Sequence, residues 1–114
     1  MEEMSYDSVV TNRVKIYSGV YGKGAAEELI ALDLINTGRV FIQKNDIVLL
    51  EKIIAETTGH KNRDSILRSL LHCAVMWQRV SMIILLLRHG AKPTILIINK
   101  ARDMGNLGVV KLLC

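Results

Sequence analysis

The side chains in this sequence that are best suited to chemistry are its histidines and cysteines. Histidine occurs at His60, His72 and His89, and cysteine at Cys73 and Cys114. No histidine has a second His or Cys at the spacing that metal ligands usually show. No arrangement of Ser, His and Asp stands out either, and no pair of carboxylates lies on an apolar face. The sequence therefore predicts a protein that is not an enzyme and needs no metal or other cofactor.

A glycine-rich stretch is the nearest approach to a ligand-binding motif. Gly19, Gly22 and Gly24 precede a predicted helix, as glycines do in phosphate-binding loops. The stretch lacks the Gly-Lys-Ser/Thr order of such loops and follows no clear strand. Ordinary turn chemistry is the simpler interpretation. Glu27 and Glu28, which follow, are explained by the preference of helix N-termini for acidic side chains.

Charge is distributed unevenly along the chain. Residues 1–57 hold six Lys/Arg and nine Asp/Glu, a net charge of −3, whereas residues 58–114 hold nine and two, a net charge of +7. A basic half of this kind attracts nucleic acid, an anionic membrane or an acidic protein surface. The alternative is that these basic residues only form solvated helix faces.

No segment indicates secretion or a membrane span. Residues 1–4 are acidic and lack the apolar stretch of a signal peptide. The longest strongly apolar run, 82–87, is far too short to cross a bilayer. Cys73 reads as a small buried hydrophobe within a helical run, and two cysteines do not indicate a disulfide framework. We therefore expect a cytoplasmic or nuclear protein with no membrane partner.

Apolar residues recur at helical spacing along most of the chain, and aromatic residues and proline are scarce, so the predicted fold is all-α. Residues 5–17 fit either a short helix or a strand. Gly38 is expected to end the first clear helix. The predicted helices cover 25–36, about 46–56 behind a cap at Asn45 or Asp46, 64–77 behind Asp64 or Ser65, 81–89 behind Ser81, a segment opened by Pro93-Thr94, and a last one after Gly105-Asn106.

Comparison of the sequence with itself indicates an internal repeat. Two consecutive offsets align apolar residues with apolar residues. An offset of 33 residues pairs Ile47 with Val80, Leu50 with Ile83 and Ile53 with Leu86. An offset of 27 residues pairs Val80 with Leu107, Met82 with Val109 and Ala74 with Ala101. The sequence thus predicts a helix–turn–helix unit that recurs along the chain.

The segment Ser69-Leu70-Leu71-His72-Cys73-Ala74 resembles the signature T-P-L-H-x-A of ankyrin repeats. The run from Ala101 to Leu113 is similar to the family's A-A-x-x-G-H-L-x-V-V-K-L-L, and the small residues Ala74 and Ala101 let paired helices approach closely. The resemblance is specific over 69–114, weak over 36–59 and absent over 1–35. It implies a short ankyrin-like helix-turn-helix repeat stack, with units at 36–59 (degenerate), 69–91 and 95–114, preceded by an N-terminal helical segment, 1–35, of unassigned role.

The sequence also departs from the family pattern. Leu70 stands where the family has Pro, and Gln78 where it has Gly between the helices. The shorter second offset omits residues where a β-hairpin finger normally lies, so we expect helix pairs joined by tight turns. The resemblance implies that His72 hydrogen-bonds backbone between neighbouring loops. Degenerate repeats of this kind are similar to those of large DNA viruses and intracellular bacteria, which fits an adaptor that interacts with host proteins.

The resemblance implies a function in protein–protein interaction through the concave face of the stack. Met76 and Trp77 occupy variable positions that commonly contact partners, and the alternative for Trp77 is packing against the adjacent unit. The same register and the flanking basic residues complete the expected partner surface, which consists of Met76, Trp77, Gln43, Lys44, Arg79, Arg102, Asp103 and Met104. The alternative function is binding of nucleic acid by the basic C-terminal half, although aromatic platforms and a recognised motif are lacking.

The C-terminal helix is expected to leave apolar side chains uncovered. Val109, Val110, Leu112 and Leu113 would normally be covered by a polar capping repeat. Either the N-terminal segment covers them, or a second copy of the chain does, or the chain is a fragment of a longer array. We therefore expect a homo-oligomer that forms through this helix.

Overall fold

The computed structural model describes residues 23–114, with side chains from residue 28 onward. This part of the chain contains helices and no strand. Leu34–Cys114 form one compact unit, and residues 23–33 of the first helix belong to another. The helices are α1 (Lys23–Gln43), α2 (Ile47–Glu56), α3 (Arg63–Met76), α4 (Val80–Arg88), α5 (Ile95–Asp103) and α6 (Leu107–Leu113). The predicted all-α fold is confirmed.

The turns within the three helix pairs have the same backbone geometry. Asn45, Gln78 and Gly105 adopt left-handed conformations with φ of 60°, 54° and 75°. In each turn the next N–H donates to a carbonyl five residues back: Asp46 to Phe41, Arg79 to Ala74, and Asn106 to Ala101. This is the Schellman ending of a helix. The left-handed residues are spaced by the same 33 and 27 residues as the sequence repeat.

The compact unit is built by packing helix pairs on one another. α3 contacts both α4 and α5, α2 contacts α4, and α5 contacts α6. The small residues Ala74 and Ala101 are 0% and 1% exposed, respectively, as expected for positions of close helix approach. The largest side chains that are fully buried are aliphatic: Ile42, Leu50, Ile53, Ile54, Ile66, Leu67, Leu70, Leu71, Val75, Met82, Ile83 and Leu86.

Side-chain caps fix the start of three helices, as the sequence predicted. Asp46 accepts a hydrogen bond from the N–H of Leu49 at 3.1 Å. Thr94 accepts one from Ile97 at 3.3 Å. The Asn106 side chain makes the same bond to the N–H of Val109 at 3.2 Å. These bonds satisfy N–H groups that have no partner within the helix.

The first helix is longer than predicted because Gly38 does not end it. α1 continues through Gly38 to Gln43. A Cβ atom at Gly38 would lie 2.5 Å from Cδ2 of Leu70 and 3.5 Å from Cγ2 of Ile53. Glycine is therefore present to let α1 approach these two side chains, and not to stop the helix. The predicted glycine loop is affected too: Gly24 already lies in α1, while Gly19 and Gly22 lie outside the described residues.

Two predicted helix starts were also wrong. Ser81 lies within α4, whose N-cap is Arg79 and which begins at Val80. The Schellman turn reverses the chain immediately after α3, so the next helix starts without a side-chain cap. α3 begins at Arg63, before the predicted Asp64 or Ser65. The prediction for residues 5–17 lies outside the described residues.

The C-terminal helix is better covered than the sequence suggested. Val109 and Leu113 are only 2% and 5% exposed, because this face of α6 packs within the helix stack formed with α5. Their predicted exposure was wrong. Leu112 and Leu107, at 40% and 66% exposed, do present apolar surface.

The left-handed conformation of Gln78 predicts a stabilising substitution. A side chain in this conformation is strained, whereas glycine adopts it freely. Gln78→Gly should raise the free energy of unfolding by about 0.5–1 kcal/mol, after the larger unfolded-state entropy of glycine is deducted. Thermal denaturation measures this, and Asn45→Gly is the matched control with a smaller gain, because Asn tolerates the conformation. A lower melting temperature for Gln78→Gly would contradict the prediction.

Candidate binding groove

One face of the helix stack carries a cavity of about 520 Å³, which we call the α1–α3–α5 groove. Its volume lies within the range of about 300–1,000 Å³ that is usual for ligand sites. Its walls come from three helices. The lining residues are Ile35 and Arg39 from α1, Arg68, Ser69, His72, Cys73, Met76 and Trp77 from α3 and its end, and Thr94, Leu96 and Ile97 from the start of α5.

The spacing of residues along α3 produces this groove. Arg68, His72 and Met76 are four residues apart and therefore share one side of the helix. Leu67 and Leu71 are fully buried in the core on another side. A single helix thus contributes to the core and to an open, chemically mixed surface.

Met76 and Trp77 lie together in the groove, at the C-terminal end of α3. Their side chains are 42% and 47% exposed. Trp77 is the C-cap residue of α3, and its N–H donates to the Cys73 carbonyl. The Trp77 ring is thus held at a fixed helix end with about half its surface available. This exposure argues against full burial of Trp77 between units.

The charged groups in the groove are all basic. Arg39, Arg68 and His72 are exposed, and no lining residue carries a carboxylate. Neither arginine makes an ion pair with any described residue. The groove therefore combines an apolar floor with positive charge that the described part of the chain leaves unneutralised.

Cys73 lies in the groove wall but is not a reactive thiol. Burial raises its pKa, and the hydrogen bond and charge of the Arg39 guanidinium oppose this only in part. The side chain is 8% exposed. A thiol with a raised pKa stays protonated at neutral pH and is a poor nucleophile. Cys73 is thus the buried hydrophobe that the sequence predicted.

Other residues of the predicted partner surface lie outside the groove. Gln43 and Lys44 at the end of α1, and Asp103 and Met104 at the end of α5, hold the same turn position as Met76 and Trp77. Gln43, Lys44, Arg102 and Asp103 are exposed and Met104 is half-buried. The lining of the groove includes only Met76 and Trp77 of the predicted set.

Arg79 has a role within the fold. Its guanidinium donates to the backbone carbonyls of Ile42 at 3.2 Å and Gln43 at 2.9 Å. These carbonyls belong to the last turn of α1, where the helix dipole favours a cation. Arg63 similarly donates to the carbonyl of His89 at the end of α4. Both arginines connect one repeat to the end of a helix in another.

The expected role of His72 was wrong. His72 is exposed in the groove and makes no hydrogen bond within the described residues. Because α3 starts at Arg63, His72 lies in the middle of a continuous helix. The neighbouring backbone groups are bonded within that helix and offer no loop partner.

Three groove residues were missed by the sequence reasoning: Arg39, Arg68 and His72 as a binding residue. The spacing of Arg68, His72 and Met76 was available as a signal in the sequence. Arg39 was not accessible to it, because the first helix was expected to end at Gly38.

Metal and membrane features are not found in the described region. No group of three or more His, Cys, Asp or Glu residues there could hold a metal ion. None of the helices from Lys23 onward is long and apolar enough to cross a bilayer.

Comparison with known proteins gives one match. The family model described as Ankyrin repeat matches residues 67–100, which run from α3 through most of α5 and include most of the groove lining. This confirms the resemblance that the segment 69–74 indicated. Neither the curated proteins nor the solved structures contain a match to the chain.

Proposed function

We propose, from the premise that residues 67–100 of this chain are an ankyrin repeat, that the protein is a non-catalytic module that binds a partner protein through the α1–α3–α5 groove. Ankyrin repeats generally mediate protein–protein interaction. The groove supplies the specific surface, and the cytoplasm or nucleus is the proposed compartment because Cys73 and Cys114 are free.

The observation that carries this proposal is the exposure of Trp77 beside Met76. Exposed large apolar side chains in a concavity cost free energy in water unless a partner covers them. Tryptophan is enriched at the energetic centres of interfaces, and methionine adapts to different partner shapes. Because α3 holds both residues at its end, the partner meets a preorganised surface.

Two other kinds of partner remain as alternatives. Nucleic acid is favoured by the net charge of +7 over residues 58–114, but Trp77 is the only aromatic residue in the groove, whereas single-strand binding commonly uses several stacking platforms. A second copy of the chain is favoured by the exposed Leu107 and Leu112 of α6. Nuclease treatment and sedimentation distinguish these from a protein partner.

The test is Trp77→Ala, measured for binding and stability together. Proteins retained from a native lysate by the wild-type chain should bind the variant at least about 30-fold more weakly, the usual size of a hot-spot effect. Leu107→Ala, which removes an exposed side chain outside the groove, should retain the same proteins.

Thermal denaturation separates the interface role from a structural one. Trp77→Ala should leave the melting temperature nearly unchanged, because half the ring is already in solvent. A loss of roughly 3–5 kcal/mol, as for a core tryptophan, would show instead that Trp77 supports the fold. Loss of binding that matches such a loss of stability would contradict the proposal.

A further inference from the structure

We infer that the occupant of the α1–α3–α5 groove is an acidic segment of the partner protein that carries an aliphatic side chain. This inference rests on the proposed function and specifies the chemistry of the partner. It follows from the charges and apolar surfaces that line the groove.

The charge of the groove selects an anionic partner. Arg39 and Arg68 enter from α1 and α3, so positive charge is supplied by two separate helices. Neither guanidinium has a carboxylate partner among the described residues, and no acidic side chain lines the cavity. Arginine in such a position can bind a carboxylate through two parallel N–H donors.

The apolar surface of the groove selects an aliphatic anchor. Leu96 is 76% exposed at the start of α5, facing the same cavity as Met76 and Trp77. Leu96, Met76 and Ile35 are flexible or branched aliphatic groups that suit a leucine-like side chain. One indole alone provides little for successive bases to stack on, so the lining favours a peptide over a nucleic acid.

The experiment uses the intrinsic fluorescence of Trp77, which is the only tryptophan in the chain and therefore reports on this groove alone. The probes are short synthetic peptides of equal length. One alternates Glu with Leu, a second has Gln in place of Glu, a third has Lys in place of Glu, and a fourth has Ser in place of Leu. A single-stranded oligonucleotide is the fifth probe.

The Glu–Leu peptide should shift the emission of Trp77 saturably. The Lys peptide should not bind, and the Gln and Ser peptides should bind more weakly. Arg68→Gln should weaken the Glu–Leu peptide about 5- to 10-fold, as loss of a charge-assisted contact does, and high salt should weaken it as well. Arg88→Gln, which removes an exposed arginine on α4 outside the groove, should leave binding unchanged.

Different outcomes overturn different statements. Equal binding of the Gln and Glu peptides with no effect of Arg68→Gln overturns the acidic-segment inference but leaves partner binding through the groove in place. Failure of every peptide to change Trp77 emission also overturns the inference, while the Trp77-dependent capture of proteins tests the function separately. Stronger, Arg68-dependent binding of the oligonucleotide overturns both in favour of nucleic acid.

Discussion

Leu70→Ala is expected to lower the free energy of unfolding by about 2–5 kcal/mol, the range seen for leucines deleted from well-packed cores. Leu70 is fully buried in α3, and its Cδ2 atom fills the space beside Gly38 of α1. Its removal leaves a cavity at the junction of two repeats, where the helices cannot collapse freely. A loss of this size is a large fraction of the roughly 5–15 kcal/mol that stabilises a small domain.

Urea denaturation measures the effect of Leu70→Ala, and Leu96→Ala is its matched control. Leu96 is 76% exposed, so its truncation should change stability by less than about 0.5 kcal/mol. Equal losses for the two variants would contradict the assigned packing.

A double-mutant cycle between Leu70 and Gly38 tests the same contact more sharply. Gly38→Ala alone places a Cβ atom 2.5 Å from Cδ2 of Leu70 and should not stabilise the protein. In the Leu70→Ala background the obstructing atoms are absent, so the same change should recover up to about 1 kcal/mol, because alanine is the better helix former. Additive effects would show that the two residues do not touch.

The turn geometry of the repeat could be predicted from the sequence because it is encoded locally. Gly105 and Asn45 are residue types that adopt left-handed backbone readily, and Asp46, Thr94 and Asn106 are strong N-caps. The spacing of these signals was sufficient to give the register of all three units. Gln78 was placed correctly by register alone, although its residue type does not favour the conformation.

The groove could be predicted only in part because its lining depends on tertiary packing. Met76 and Trp77 follow from the register of one repeat. The presence of Arg39 depends on α1 continuing past Gly38, where the close approach of Leu70 overrides the local tendency of glycine to end a helix. Arg79 looked like a surface cation, but carbonyls at the end of α1 hold it, and its sequence neighbourhood does not indicate them.

Ala74→Leu should lower the free energy of unfolding by roughly 1–3 kcal/mol through overpacking. Ala74 is 0% exposed, and its carbonyl accepts the Schellman hydrogen bond from Arg79 at 2.9 Å. The added isobutyl group therefore has no solvent to enter and cannot move away without disturbing the turn. Helix propensity changes little between alanine and leucine, so the loss reports the packing.

Matched variants make the overpacking test specific to the repeat register. Ala55→Leu adds the same atoms at an exposed position of α2 and should leave stability within about 0.5 kcal/mol of wild type. Ala101→Leu, at the equivalent position of the next unit and 1% exposed, should behave like Ala74→Leu. Thermal denaturation should then show a fall of several degrees per kcal/mol for Ala74→Leu and Ala101→Leu only. If Ala74→Leu melted with Ala55→Leu instead, α3 and α4 would not approach at Ala74, and the positions of Met76 and Trp77 deduced from that register would lose their basis.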